Sequence, residues 1–178
     1  MRYRRADIKG GTYFFTVNLA ERNNSLLIDE IDILRSVMNK VKKQHPFKID
    51  AMVVLPDHLH ALWTLPLEDN DFATRWMLIK TGFSRVMPKL ERIDKSRQSK
   101  GERGIWQRRY WEHLIRDEDD YEKHVDYIHY NPVKHGYVKC AMDWSYSSIH
   151  LYIAKGILND DWGYTNDGVD EFMFGEKA

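Results

Sequence analysis

Two short segments of the chain carry side chains that could act together on a phosphate. In Leu55-Pro56-Asp57-His58-Leu59-His60-Ala61-Leu62-Trp63, two imidazoles stand two residues apart. Alternate side chains of a strand share a face, so His58 and His60 point one way and Leu59 the other. In Asp126-Tyr127-Ile128-His129-Tyr130-Asn131-Pro132, Tyr127 and Asn131 are four residues apart and share one face of a helix. Neutral imidazole is a common ligand of divalent metals. The asparagine carbonyl suits a hard cation such as Mg²⁺ or Mn²⁺, and a phenol beside such an ion could attack a phosphodiester.

Each half has a plainer reading. Paired strand histidines are often only hydrogen-bonded polar groups. The chain has ten tyrosines, and most tyrosines pack with the hydroxyl at the surface. Tyr121 and Tyr130 are the rivals to Tyr127; Tyr130 lies about 60° away on a helix of 3.6 residues per turn. Asp57 could orient an imidazole, but its position after Pro56 favours a simple turn residue.

The elements that must place these groups are legible from pattern. Thr12–Leu19, β-branched and aromatic after Gly10-Gly11, predicts a strand. Apolar residues at 31, 34, 37, 38 and 41 predict a helix over 29–44, ended by Pro46. Residues 48–55 and 58–65 read as paired strands around the Pro56-Asp57 turn. A helix over 71–87 follows, then a polar segment, 88–104, expected to be a mobile loop. Residues 107–115 read as a fourth strand. Asp117 caps a helix over 117–131, which Pro132 is expected to stop. The order β-α-β-β-α-β followed by a helix predicts an α+β, ferredoxin-like sandwich with an antiparallel sheet over about 11–116 and a tyrosine-bearing helix behind it.

Composition bounds the partners. The chain has 178 residues, 43% hydrophobic and 30% charged, enough for one domain with a real core. It has no long apolar run and no secretory signal pattern, and its one cysteine, Cys140, suits a reducing cytoplasm. Net charge is zero, yet it is unevenly spread. Residues 80–109 carry ten Lys or Arg against three acids, and residues 156–178, read as an acidic tail, carry six acids against one lysine. Such asymmetry fits a polyanionic partner, or else a solvated basic loop and an acidic tail without one.

Taken together, these segments resemble the HUH single-tyrosine transposases, and within them the REP-associated tyrosine transposases. The matching stretches are 10–19, 53–66, Trp106-Gln107-Arg108-Arg109-Tyr110-Trp111-Glu112-His113, and 120–139, spanning residues 10 to about 150 in order. The resemblance implies a ferredoxin-like domain over 1–155, a divalent metal (Mg²⁺ or Mn²⁺), and cleavage of single-stranded DNA beside a hairpin through a 5′-phosphotyrosine. By position, His58 and His60 match the HUH histidines, Tyr127 the nucleophile, and Asn131 the polar residue completing the metal site, where relatives often carry glutamine. Arg4, Arg5, Lys9, Arg108, Arg109, Arg116 and Lys134 are expected to hold phosphates. Trp106, with Tyr110 and Trp111, is expected to stack bases, although a core role competes for the latter two, and His113 is expected to read a base edge or to cap the sheet. A monomer is favoured, with a homodimer as the alternative. Two other functions fit the same residues: a non-catalytic DNA-hairpin-binding protein, and a metal-dependent phosphodiesterase for small substrates.

Overall fold

The computed structural model describes residues 8–164. In chain order the elements are β1 (Thr12–Asn18), α1 (Leu26–Asp29), α2 (Ile31–Gln44), β2 (Lys48–Val54), β3 (His58–Thr64), α3 (Phe72–Val86), α4 (Lys95–Gln98), β4 (Trp111–Leu114), α5 (Glu118–Lys134), a 3₁₀ turn at Ala141–Asp143 and α6 (Ile149–Ala154). The sheet order is β2-β3-β1-β4, and every neighbouring pair is antiparallel. This is the predicted α+β arrangement: two crossovers and a four-stranded antiparallel sheet.

Strand alternation divides the apolar side chains into two layers. Tyr13, Phe15 and Val17 of β1, with Leu59, Ala61 and Trp63 of β3, enter the larger core beneath α2 and α3. Trp63 stacks on Trp76 of α3 at 4.2 Å and 14°, and Phe15 meets Trp63, Phe72 and Trp76 within 5.1–5.4 Å. Phe14 and Leu62, on the other face, join Val53, Val125, Tyr127 and Ile128 in a second core under α5. With both faces covered, the central strand β3 is buried from His58 to Trp63. That is why its histidines sit in the interior.

The edges are managed by chemistry readable after the fact. Beyond α5 the chain returns along the outer side of β2, where Val54 N–H donates to Tyr146 O and Ser148 N–H to Met52 O. An otherwise open strand edge is thereby covered. At the other edge β4 spans four residues, shorter than the predicted 107–115. The Lys80 ammonium takes the carbonyls of Gln107 and Arg108 (2.6 and 3.3 Å), so those acceptors are not offered to a ladder.

The helix expected over 29–44 stands as α2, with the short α1 ahead of it. Two further expectations are corrected. The 88–104 segment is not a free loop, because Arg103 donates to the carbonyls of Ser84, Met87 and Pro88 and pairs with Glu91. The tyrosine helix does not stop at Asn131 but runs through Pro132 to Lys134. Proline forfeits one helical N–H bond. Burial of Asn131, Pro132 and Val133 offsets that loss, and the end is closed by His135 N–H on Asn131 O and by Gly136 at φ +73°. Among the described residues no helix is long and apolar enough to cross a membrane.

Candidate functional site

The register sets the first two groups. Asn18 lies opposite His58 and Thr16 opposite His60. Thr16 Oγ1 is 2.8 Å from His60 Nδ1, and Asp57 Oδ1 is 2.7 Å from His58 Nδ1. Tautomers that donate through Nδ1 carry the lone pair on Nε2, the atom a metal would take. The other Asp57 oxygen receives Arg22 Nε, and Arg22 also donates to the Asn18 side chain at 2.8 Å. Burial pushes the Asp57 carboxyl up, but the hydrogen bonds from His58 and Arg22 outweigh it and hold it below the usual carboxylate value. Asp57 is therefore an anion that orients an imidazole, not merely a turn residue.

Asn131 supplies the second half. It is fully buried, and among the described residues neither its amide oxygen nor its amide nitrogen has a hydrogen-bond partner. An unsatisfied buried polar group costs about 1–3 kcal/mol, so the residue is unexplained by packing. A hard cation would satisfy its carbonyl. The donor set of two oriented imidazoles and one amide oxygen fits a divalent metal with open positions.

One turn earlier, the Tyr127 ring lies 5.2 Å from the His60 ring at 71°, and its residue is 5% exposed. The Lys134 ammonium donates to the Tyr127 hydroxyl oxygen at 3.3 Å and stands 4.8 Å from the centre of the ring. His135, on the turn after Asn131, brings its ring within 5.2 Å of His58. The helix and the strand thus present phenol, ammonium and imidazoles within one pocket, all from a single chain. Lys134, expected among the phosphate contacts, is seated at the phenol.

Phe14 separates this pocket from a second histidine cluster, with ring centres 5.6 Å from His60 and 4.7 Å from His124. There His113, Asp120 and His124 bring ligand atoms within 4.8 Å of one another. The Asp120 carboxylate is already occupied: His113 Nε2 (2.9 Å), Arg116 Nε (3.1 Å) and Arg116 N–H (3.1 Å) all meet Oδ2. Burial raises the Asp120 carboxyl, yet the bonds from Arg116 and His113 hold it far below the usual carboxylate range. A guanidinium on the same oxygen opposes a cation, so the cluster acts as a clamp between β4 and the first turn of α5. His113, expected to read a base edge or to cap the sheet, is part of that clamp. Burial pushes the His124 imidazole down.

The remaining predicted contacts are scattered. Arg4 and Arg5 lie outside the described residues. Lys9 pairs with Glu68 at 3.1 Å. Trp106 is 4% exposed, edge-on to Phe83, and cannot stack a base from there. Tyr110 packs on Phe15 and Trp76. Trp111, 43% exposed, is the one member of that trio at the surface. Arg108 meets Glu102 and Ser96, Arg109 is exposed, and Arg116 keeps an exposed side chain while touching Asp120. Of the acidic tail, Leu158 and Trp162 pack against Val133, Ala141 and Ile149 behind α5; residues 165–178 lie outside the described part. Thr16, Arg22 and His135 escaped the sequence reading. Thr16 was within reach of it, since alternation from Phe14 puts it on the histidine face. Arg22 carried no signal, because its partner is 35 residues away.

The chain is similar to known proteins over nearly its whole length. Residues 11–131 match the family described as IS200-like transposases. The chain is 46% identical to a REP-associated tyrosine transposase of Escherichia coli K12 over 98% of its own length and 96% of the relative's. It is 48% identical to a putative REP-associated tyrosine transposase of Haemophilus influenzae, covering 93% and 94% of the two chains. A solved structure described as a REP-associated tyrosine transposase bound to a REP hairpin superimposes with a TM-score of 0.84 at 46% identity, covering 100% of this chain and 98% of that one.

Proposed function

The chain belongs to the IS200-like transposase family, and on that premise we propose that it cuts and rejoins single-stranded DNA beside a hairpin, with Tyr127 as the nucleophile. The observation that carries the reading is the meeting of the Tyr127 ring with His60, 5.2 Å apart, next to the orphaned amide of Asn131. The relative of known structure, 46% identical, is described as bound to a REP hairpin, which supports the same class of DNA here.

His58, His60 and Asn131 would hold the metal, Mg²⁺ or Mn²⁺, which when bound polarises the scissile phosphate and offsets charge in the transition state. Asp57, with Arg22 behind it, and Thr16 fix the two imidazoles. The Tyr127 oxygen attacks phosphorus, the new O–P bond replaces the bond to the 3′-oxygen, and that oxygen leaves as a 3′-hydroxyl after taking a proton. The phosphotyrosine keeps the energy of the broken ester, so a second 3′-hydroxyl can reverse the step. Lys134 donates to the phenol oxygen and stabilises the negative charge it carries on the way to attack. Trp111, Arg109 and Arg116 are the exposed groups suited to bases and phosphates. Its own helix delivers the tyrosine to its own sheet, which favours a monomer over a homodimer; the place of work is the cytoplasm.

The test is a labelled hairpin oligonucleotide with single-stranded flanks, incubated with protein and Mg²⁺ or Mn²⁺. The expected result is a covalent adduct on a denaturing gel, lost in Tyr127→Phe while the native-gel shift remains. A shift without adduct from the wild type would favour a hairpin-binding protein; neither would leave the small-substrate phosphodiesterase. An adduct formed by Tyr127→Phe would end the assignment of the nucleophile.

A further inference from the structure

We infer that the cleft between α3 and the 95–108 segment is a second DNA-contact site, built to take backbone phosphates of the strand away from the cut. The inference rests on the DNA-cutting reading and extends it to a part of the chain that the chemistry does not use.

The cleft encloses about 620 Å³, and Lys80, Arg85, Arg97, Arg103 and Arg108 line it against a single carboxylate, Glu102. What the cations touch is telling. Arg97 directs its guanidinium to the carbonyls of Arg103 and Trp106 (2.8 and 2.9 Å), and Lys80 directs its ammonium to those of Gln107 and Arg108. These acceptors satisfy hydrogen bonds but do not cancel charge. Glu102 is drawn to Arg108 at 2.7 Å, and Glu91 to Arg103. Lys80 registers the result: burial, then the neighbouring Arg97 charge, push its ammonium down to about 8. Lys80 and Arg97 crowd one another, with Asp94 3.6 Å from Arg97 Nε and Glu102 a weaker, opposing influence on Lys80, and an anion in the cleft would offset the positive charge that remains.

Position argues for a nucleic-acid strand as the source of that anion. The wall of the cleft is stitched to the end of β1: Ala20 N–H donates to Ile105 O (2.8 Å) and Gln107 N–H to Asn18 O (2.9 Å). Asn18 is the residue opposite His58. The cleft therefore opens at the same end of the sheet as the histidine pair, on the α2/α3 side, and its volume exceeds that of one phosphate. A strand held at the histidines could continue over that end into it. The surrounding surface is basic as well, since Arg85, Lys89, Arg92, Lys95 and Lys100 are exposed.

The experiment compares Arg85→Gln/Arg108→Gln with its parent, both in the Tyr127→Phe background so that cleavage does not intervene. Binding of a hairpin oligonucleotide with flanks is measured across salt. The expected result is a salt slope shallower by about one to two, with affinity roughly tenfold weaker at about 0.1 M salt, and recovery in Arg85→Lys/Arg108→Lys. Trimming the flanks should weaken the parent and leave the Gln variant little changed. An unaltered slope with normal hairpin binding would overturn the cleft alone; absence of hairpin binding by the parent would overturn the DNA reading and the cleft with it.

Discussion

Lys134→Gln isolates the contribution of the ammonium to the nucleophile. The Nζ to oxygen distance is 3.3 Å. Opposite unit charges at that separation attract by about 1.3 kcal/mol in bulk water and about 5 kcal/mol at an effective dielectric of 20. Tyr127 is buried and Lys134 half-buried, so the developing phenolate falls between these limits, at roughly 2–3 kcal/mol. A tenfold rate change corresponds to about 1.4 kcal/mol, which gives a loss of roughly 30- to 140-fold in the rate of adduct formation. The assay is single-turnover cleavage of a labelled hairpin at saturating protein and metal, where substrate affinity drops out. Lys134→Arg should recover most of the rate. A Gln variant that cleaves within threefold of wild type at saturation, but binds DNA more weakly, would refute the reasoning and return Lys134 to a phosphate contact.

Other outcomes follow from the same geometry. Asn131→Leu should be more stable than wild type without metal, by about 1–3 kcal/mol in urea unfolding, because it removes an orphaned buried amide; it should also bind Mn²⁺ more weakly by spin-resonance titration, and equal stability with equal Mn²⁺ affinity would remove the residue from the metal site. Asp57→Asn, which cannot hold the His58 ring as an anion does, should weaken Mn²⁺ binding by about 10–100-fold with the fold intact by circular dichroism. The clamp makes stability acid-sensitive. His124, facing His113, Arg116 and Asp120, is depressed by burial, so its contribution is complete above about pH 6.5 and is lost as pH falls toward its lowered native value. Asp120 is depressed as well, and its contribution persists to about pH 4 before fading. Burial also pushes the His129 imidazole down to about 3, so thermal midpoints should decline in two stages on acidification and His124→Gln should shrink the upper one without removing it; a flat profile down to about pH 5 would contradict the burial argument.

The fold was legible where one periodicity governs. Strand alternation over Thr12–Asn18 and His58–Thr64 placed both histidines on one face, and i, i+4 spacing placed Tyr127 above Asn131. Reading failed where tertiary contacts overrule local preference. Proline normally biases its predecessor out of the helix, but burial of Asn131–Val133 carries α5 on to Lys134, and that extra turn is what brings the ammonium to the phenol. Trp106 looked like a stacking platform because aromatic-basic clusters do so in binding proteins, yet position 106 bridges to Leu19 and turns its ring into the core. Charge counting exposed the basic stretch, but could not say that its arginines brace the backbone. In the Arg22–Asp57–His58 relay the last two are chain neighbours, and only the folded register of β1 and β3 brings Arg22 to them.

The docking of α5 on its own sheet has a stoichiometric consequence. One polypeptide owns one phenol facing one imidazole pair, so on this reading it can be esterified to a single DNA end at any moment. Excising a segment involves two severed ends. Either the same molecule discharges the first end before taking the second, or two molecules must meet on one DNA, each already chemically whole.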